Sequence, residues 1–235
     1  MFKYIRFFSA TLLFSIGFNY VIAAASFDCN KASTATEHAI CDYQELSALD
    51  DIMGETYRSA KTSADWLTPT KLKNTQRSWI KSRNKCGNKF DCLRDSYVQR
   101  LEEISDGVFF LTLGRNFASF VYEGDPISGI CPPQTQLSDW DQCVSWFRGG
   151  PSFRGVSISG TMAFNFDYIG ANAHRCSLAG RADKVNKQWV YQDNVSACTL
   201  RIELGPNGLS LNPTRQCNSY CGMRAQGAME QIIEY

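Results

Sequence analysis

Val156-Ser157-Ile158-Ser159-Gly160-Thr161-Met162-Ala163-Phe164-Asn165-Phe166-Asp167-Tyr168 decides the architecture of the second half of the chain. Val156, Ile158, Met162, Phe164, Phe166 and Tyr168 occupy even positions, with Ser157, Ser159, Thr161, Asn165 and Asp167 between them. That period of two is the signature of a strand with one buried face, and Gly160 marks a bend or bulge within it. Cys198, Leu200, Ile202 and Leu204 alternate in the same way with Thr199, Arg201 and Glu203. Gly205-Pro206-Asn207-Gly208 then turns the chain into Leu209 and Leu211. Shorter strands are expected over 108–113, 117–122, 174–182 and 188–191. Short strands joined by tight turns predict an antiparallel barrel or sandwich over residues 107–235.

Upstream the period changes. Tyr43, Leu46, Leu49, Ile52, Met53 and Tyr57 recur at steps near 3.6, which places Asp50, Asp51 and Glu55 mostly on the wet side of an amphipathic helix. Thr68-Pro69 opens a second helix with Leu72, Gln76, Trp79, Ile80 and Arg83 along one side. A third helix, from about Asp91, presents Leu93, Tyr97, Leu101 and Ile104. Residues 26–106 are thus expected to form a small helical hairpin or bundle, with a boundary near Asp106-Gly107. The fold class is α+β.

The start of the chain, from Met1-Phe2-Lys3-Tyr4-Ile5-Arg6 through an apolar stretch to Ala23-Ala24-Ala25, reads as a cleavable export signal over residues 1–25. Without Lys3 and Arg6, 22 basic residues face 23 acidic ones. A net charge of −1 argues against nucleic acid or a membrane surface as partner. It also offers little long-range steering toward a basic protein. Nothing after residue 25 is long and apolar enough to span a bilayer. The reading is periplasmic or secreted.

Ten cysteines, Cys29, Cys41, Cys86, Cys92, Cys131, Cys143, Cys176, Cys198, Cys217 and Cys221, are an even set of the kind that exported proteins pair into disulfides. Short loops favour Cys29 with Cys41 and Cys86 with Cys92. If residues 217–221 form a strand, Cys217 and Cys221 stand too far apart to bond each other. They are then expected to take Cys176 and Cys198 in one of the two possible pairings, which leaves Cys131 to close a loop with Cys143.

Chemistry is sparse. His38 and His174 are expected to be packed or capping residues, and with the thiols paired no metal site and no cofactor are expected. Asp50-Asp51 and Glu102-Glu103 diverge by about 100° on a helix, so they suit ion pairs with Arg77, Lys81, Arg83 or Arg100 better than the paired acid and base of a glycosidase. Asn194-Val195-Ser196 fits a glycosylation triplet. The segment from Cys143 to Arg154 combines aromatics, arginines and glycines. Trp146, Phe147, Arg148, Ser152 and Arg154 there are candidate target-binding residues on an exposed loop. Aromatics folded back over a barrel end would give the same pattern.

Ser26-Phe27-Asp28-Cys29, Thr36-Glu37-His38-Ala39-Ile40-Cys41, Glu45-Leu46-Ser47-Ala48-Leu49-Asp50, Tyr57, Gln76-Arg77-Ser78-Trp79, Arg83, Cys86, Cys92-Leu93-Arg94, Tyr97 and Arg100-Leu101 together resemble the amino-terminal domain of the LprI family of bacterial lysozyme inhibitors. Residues around His174–Ala182, Trp189–Tyr191, Cys198–Ile202 and Cys217–Arg224 resemble carboxy-terminal modules that follow such domains. The resemblance implies a protein that is not an enzyme and that occludes lysozyme or another peptidoglycan hydrolase. The resemblance carries no contact residue across; on physical grounds alone, the 143–154 loop would set Arg148 or Arg154 against the enzyme's paired carboxylates, with Ser152 and the aromatic rings in sugar subsites. The alternative is a cell-envelope binding module that recognises peptidoglycan, another glycan or a protein partner, with Trp146, Trp189 and Tyr191 as the aromatic contacts. A hydrolase using surface carboxylates ranks last.

Overall fold

A two-residue turn at Ser159-Gly160 divides the run 156–168 into two antiparallel strands, β2 (Ser152–Ile158) and β3 (Thr161–Ile169). Both turn residues have positive φ, 51° and 89°, the geometry that matches the twist of the flanking strands. The expected single strand with a bend is thereby corrected, and the consequence is large. Ile158 pairs with Thr161 and Val156 with Ala163, so the even positions of β2 lie on the opposite face of the sheet from the even positions of β3. Both faces are apolar.

The computed structural model describes residues 25–63, 68–105, 118–123, 151–169, 174–205, 208–222, 225, 229 and 232–234. Its sheet is an antiparallel meander in sequence order: β1 (Ala118–Glu123), β2, β3, β4 (Arg175–Val185), β5 (Gln188–Asp193), β6 (Cys198–Gly205), β7 (Gly208–Pro213) and β8 (Ile232–Glu234). It curls into a half-barrel. The inner face carries one continuous core that includes Tyr122, Phe153, Phe164, Phe166, Leu200 and Leu211, reaching from β1 to β7. Phe153 stacks on Phe164, and Phe164 meets Tyr191 edge-on.

The helical region comprises α1 (Ala35–Asp42), α2 (Gln44–Ser63), α3 (Thr68–Arg83) and α4 (Phe90–Ser105). Thr34 caps α1: its hydroxyl accepts from the Glu37 amide while the Glu37 carboxylate accepts from the Thr34 amide, a reciprocal capping box. The Glu37 carboxyl is held at about 2, mainly by the Ser33 and Thr34 amides that donate to it. His38 is exposed on α1 rather than packed.

Helix α2 departs from the one-sided reading. Glu45, Leu46, Ser47, Ala48, Leu49 and Asp50 are all buried, because α1, α3 and α4 cover one side of it and β3 and β4 the other. The core of the helical region accordingly takes in Val156, Ile158 and Ala163 from the outer face of the sheet. Each fully buried Leu or Ile there contributes roughly 1.5 to 3 kcal/mol. Asp50 is not on a wet face but 4% exposed, and Asp51 and Glu55 are half-buried. Ile80, expected on the packed side of α3, is 38% exposed.

Four disulfides close the described cysteines: Cys29–Cys41, Cys86–Cys92, Cys176–Cys221 and Cys198–Cys217. The pairing of Cys217 and Cys221 with the two strand cysteines stands, but not its premise. Residues Arg215–Tyr220 form a 3-10 helix, and this turn aims Cys217 at β6 and Cys221 at β4. Cys131 and Cys143 lie outside the described residues, as does the expected strand over 108–113.

Candidate functional site

The residues most legible as a motif point inward. Asp50 accepts from the Tyr97 hydroxyl at 2.5 Å and from the Arg83 guanidinium at 3.3 Å, and Arg83 in turn lies over the Trp79 ring. Burial pushes the Tyr97 phenol well above its ordinary value, and the neighbouring Asp50 charge adds to the rise. Trp79 donates its indole N–H to the Ser96 carbonyl at 3.1 Å, and Arg100 donates to Gln76 at 3.0 Å. Glu45, only 3% exposed, accepts from Arg94 at 2.8 Å and from Arg154 at 3.2 Å. These buried charges are paired, as burial requires. They hold three helices and a strand together and display nothing.

Of the proposed contact residues, Trp146, Phe147 and Arg148 lie outside the described residues. Ser152 and Arg154 do not belong to a loop: both are in β2, hydrogen-bonded between β1 and β3. Arg154 faces the helices, where Glu45 answers its charge and the Phe90 ring lies 5.3 Å from its guanidinium. About a third of the Arg154 side chain remains exposed. Trp189 and Tyr191 are each 7% exposed within the half-barrel core, so neither offers the open ring face that stacking on a sugar needs. His174 is half-buried just before β4.

What the surface does offer is a groove of about 610 Å³ between α2 and the β4–β5 hairpin. Asp51 and Glu55 line it from the helix, and Arg181 and Asp183 from β4. Arg181 bonds Asp51 at 2.5 Å, Glu55 at 2.9 Å and Asp183 at 3.2 Å. One guanidinium shared among three carboxylates leaves the floor net negative. Val185, 53% exposed, and Val195, 77% exposed, stand on its rim.

Val195 is presented by a loop that Asp193 cross-links. Asp193 accepts from the amides of Val195 at 2.9 Å and Ser196 at 3.1 Å, from the Ser196 hydroxyl at 2.5 Å, and from the Tyr220 hydroxyl. Burial alone would raise the Asp193 carboxyl. The hydrogen bonds from Ser196, Tyr220 and the Val195 amide outweigh it and hold the group at about 2. Of the groove's lining, the sequence singled out only Tyr191, as an aromatic contact, and Asn194-Val195, as part of a glycosylation triplet. Asp51 and Glu55 read as solvated helix, and only the fold brings them to Arg181.

Residues 29–104 match the family model for lysozyme inhibitor LprI. The matched stretch runs from Cys29 almost to the end of α4, so it coincides with the helical region and covers Glu45, Asp50, Arg83, Arg94 and Tyr97, while Ser26 and Arg154, which also bond these carboxylates, lie outside it. The match ends at residue 104, within α4, and every strand of the half-barrel lies outside it. Nothing among the curated proteins or the solved structures matches the chain. Among the described residues no helix is long and apolar enough to cross a membrane.

Proposed function

We propose that the protein is an exported inhibitor of lysozyme or a related peptidoglycan-cleaving enzyme, acting by binding over the enzyme's cleft without turnover. The observation that carries this reading is the match of residues 29–104 to a lysozyme-inhibitor family. The four disulfides fit an oxidising compartment, periplasmic or secreted.

Within that reading, the groove between α2 and the β4–β5 hairpin supplies one contact. Its acidic floor suits one or two cationic side chains of the target, and Val185 and Val195 suit apolar neighbours of those cations. Desolvated charge in a groove favours the correct partner and its orientation more than raw affinity. A stable complex covers about 800 Å² on each partner, so further surface is engaged. Trp146, Phe147 and Arg148, which precede β2 in the chain, are the proposed second contact.

The test is a lysis assay with the oxidised protein titrated against several lysozyme types. Slowing that saturates near one equivalent is expected for at least one of them. Undiminished lysis at a large excess against all of them would remove the proposal.

A further inference from the structure

Ser26 is held by the helical region at a single buried oxygen. Its backbone N–H donates to Asp50 Oδ2 at 2.8 Å and its hydroxyl donates to the same atom at 2.6 Å. The other oxygen, Oδ1, serves Tyr97 of α4 and Arg83 of α3. The Asp50 carboxylate is thus divided between the helix interior and the point where the chain enters the fold. Gly54, one turn further along α2, makes room for this docking: a Cβ there would stand 2.8 Å from the Ser26 Cβ. Immediately upstream, Ala23-Ala24-Ala25 places small residues at the first and third positions before the Ala25–Ser26 bond, the pattern a leader peptidase requires.

We propose that the Ala25–Ser26 peptide bond is a processing site and that the α-ammonium group of Ser26 released there docks on Asp50 Oδ2. In the hydrolysis, water adds across the C–N bond: Ala25 leaves as a carboxylate and the Ser26 nitrogen takes up a proton. One amide N–H becomes three N–H donors and a full positive charge at the position now 2.8 Å from the carboxylate. Cleavage precedes folding, since Ala25 is 7% exposed in the folded chain. Before it, Arg83 is the cation bonded to Asp50; afterwards the carboxylate is shared by two cations, one on each oxygen. Arg58, whose guanidinium also borders Gly54, is the like charge on the same helix. Folding of the helical region is therefore coupled to the removal of the leader by charge, since a buried carboxylate gains most from a partner held against it.

The experiment exports the full chain from a bacterial host and determines the amino terminus of the folded product by intact mass and terminal sequencing. A product beginning at Ser26 is expected; any other terminus overturns the proposal. That product is then compared with one retaining Ala25 at its amino terminus, obtained by shifting the leader. The Ser26 form should melt several degrees higher, and the difference should disappear when both carry Asp50→Asn. Because that variant can unfold by itself, a second measurement uses unsubstituted protein. The Ser26 α-amine should be acylated by a water-soluble ester at least ten-fold more slowly than the Ala25 amine. Equal melting temperatures with equal acylation rates would overturn the docking.

Discussion

Arg154 on β2 and Glu45 on α2, 109 residues apart in sequence, meet at 3.2 Å and tie the half-barrel to the helices. Glu45 also holds Arg94 of α4, so one buried carboxylate anchors two elements to α2. Glu45→Ala is expected to destabilise the protein by about 3 kcal/mol or more, because two guanidinium groups lose their counter-charge. Arg154→Ala, at a side chain one third exposed, should cost only about 1 kcal/mol. Urea midpoints of the two variants check the ranking, and equal losses would contradict it.

Gly180 on β4 faces the Tyr191 ring so closely that an added Cβ would stand 2.6 Å from the ring edge. Gly180→Ala should therefore displace Tyr191 and cost about 1 to 3 kcal/mol through overpacking. The near-ultraviolet circular dichroism of the folded variant should change as well, and a spectrum identical to the parent's would count against the contact.

The disulfides should differ in value in the order of the loops they close. Replacing both cysteines by alanine should cost about 4 kcal/mol for Cys176–Cys221, with a sequence separation of 45, and about 3 kcal/mol for Cys198–Cys217, with 19. The bond closing the shortest loop, Cys86–Cys92 with a separation of 6, should cost about 2 kcal/mol. Denaturation of the paired variants tests the order, and non-reduced peptide mapping tests the connectivity.

Acid should weaken the fold in a defined window. The Glu37 and Asp193 carboxyls sit at about 2, below their values of about 4 in an unfolded chain. Their contribution is complete above pH of about 4 and is lost as the pH falls through about 2. Asp193→Asn should remove part of that slope and lower neutral stability by about 1 kcal/mol once solvent screening is allowed for. Denaturation midpoints between pH 7 and pH 2 make the comparison. A slope unchanged by the substitution would show that Asp193 is not one of the groups responsible.

For the proposed inhibition, Val185→Arg with Val195→Arg adds two cations to the groove rim and should weaken binding to a basic target at least ten-fold without lowering the melting temperature. Replacing Trp146, Phe147 and Arg148 together by alanine tests the other proposed contact. Titration in the lysis assay separates the two surfaces: whichever set leaves inhibition unchanged is not in the interface.

The sequence carried the architecture in its periodicities and two of the cross-links, Cys29–Cys41 and Cys86–Cys92, in its spacings; which of Cys217 and Cys221 takes Cys176 and which takes Cys198 only the fold decides. A stripe of Leu46, Leu49, Ile52 and Met53 on α2 by itself implies one buried side. A helix sandwiched between other helices and a sheet buries both: Asp50 meets Arg83, one of its expected partners, inside the core, and Asp51 meets Arg181 of β4, which only the fold brings near. Ser159-Gly160 does not show as a turn in the sequence, because alternation on both sides of it hides a two-residue reversal. The resemblance rests on Glu45, Asp50, Gln76, Trp79, Arg83 and Tyr97, which serve the interior. It therefore identifies a scaffold more readily than the surface that scaffold presents.

Enclosure of α2 on two sides has a thermodynamic consequence for recognition. With side chains from both regions interlocked around one helix, the groove walls cannot swing independently. Little internal motion remains to be frozen when a partner arrives, and the entropic penalty of association falls mainly on the partner.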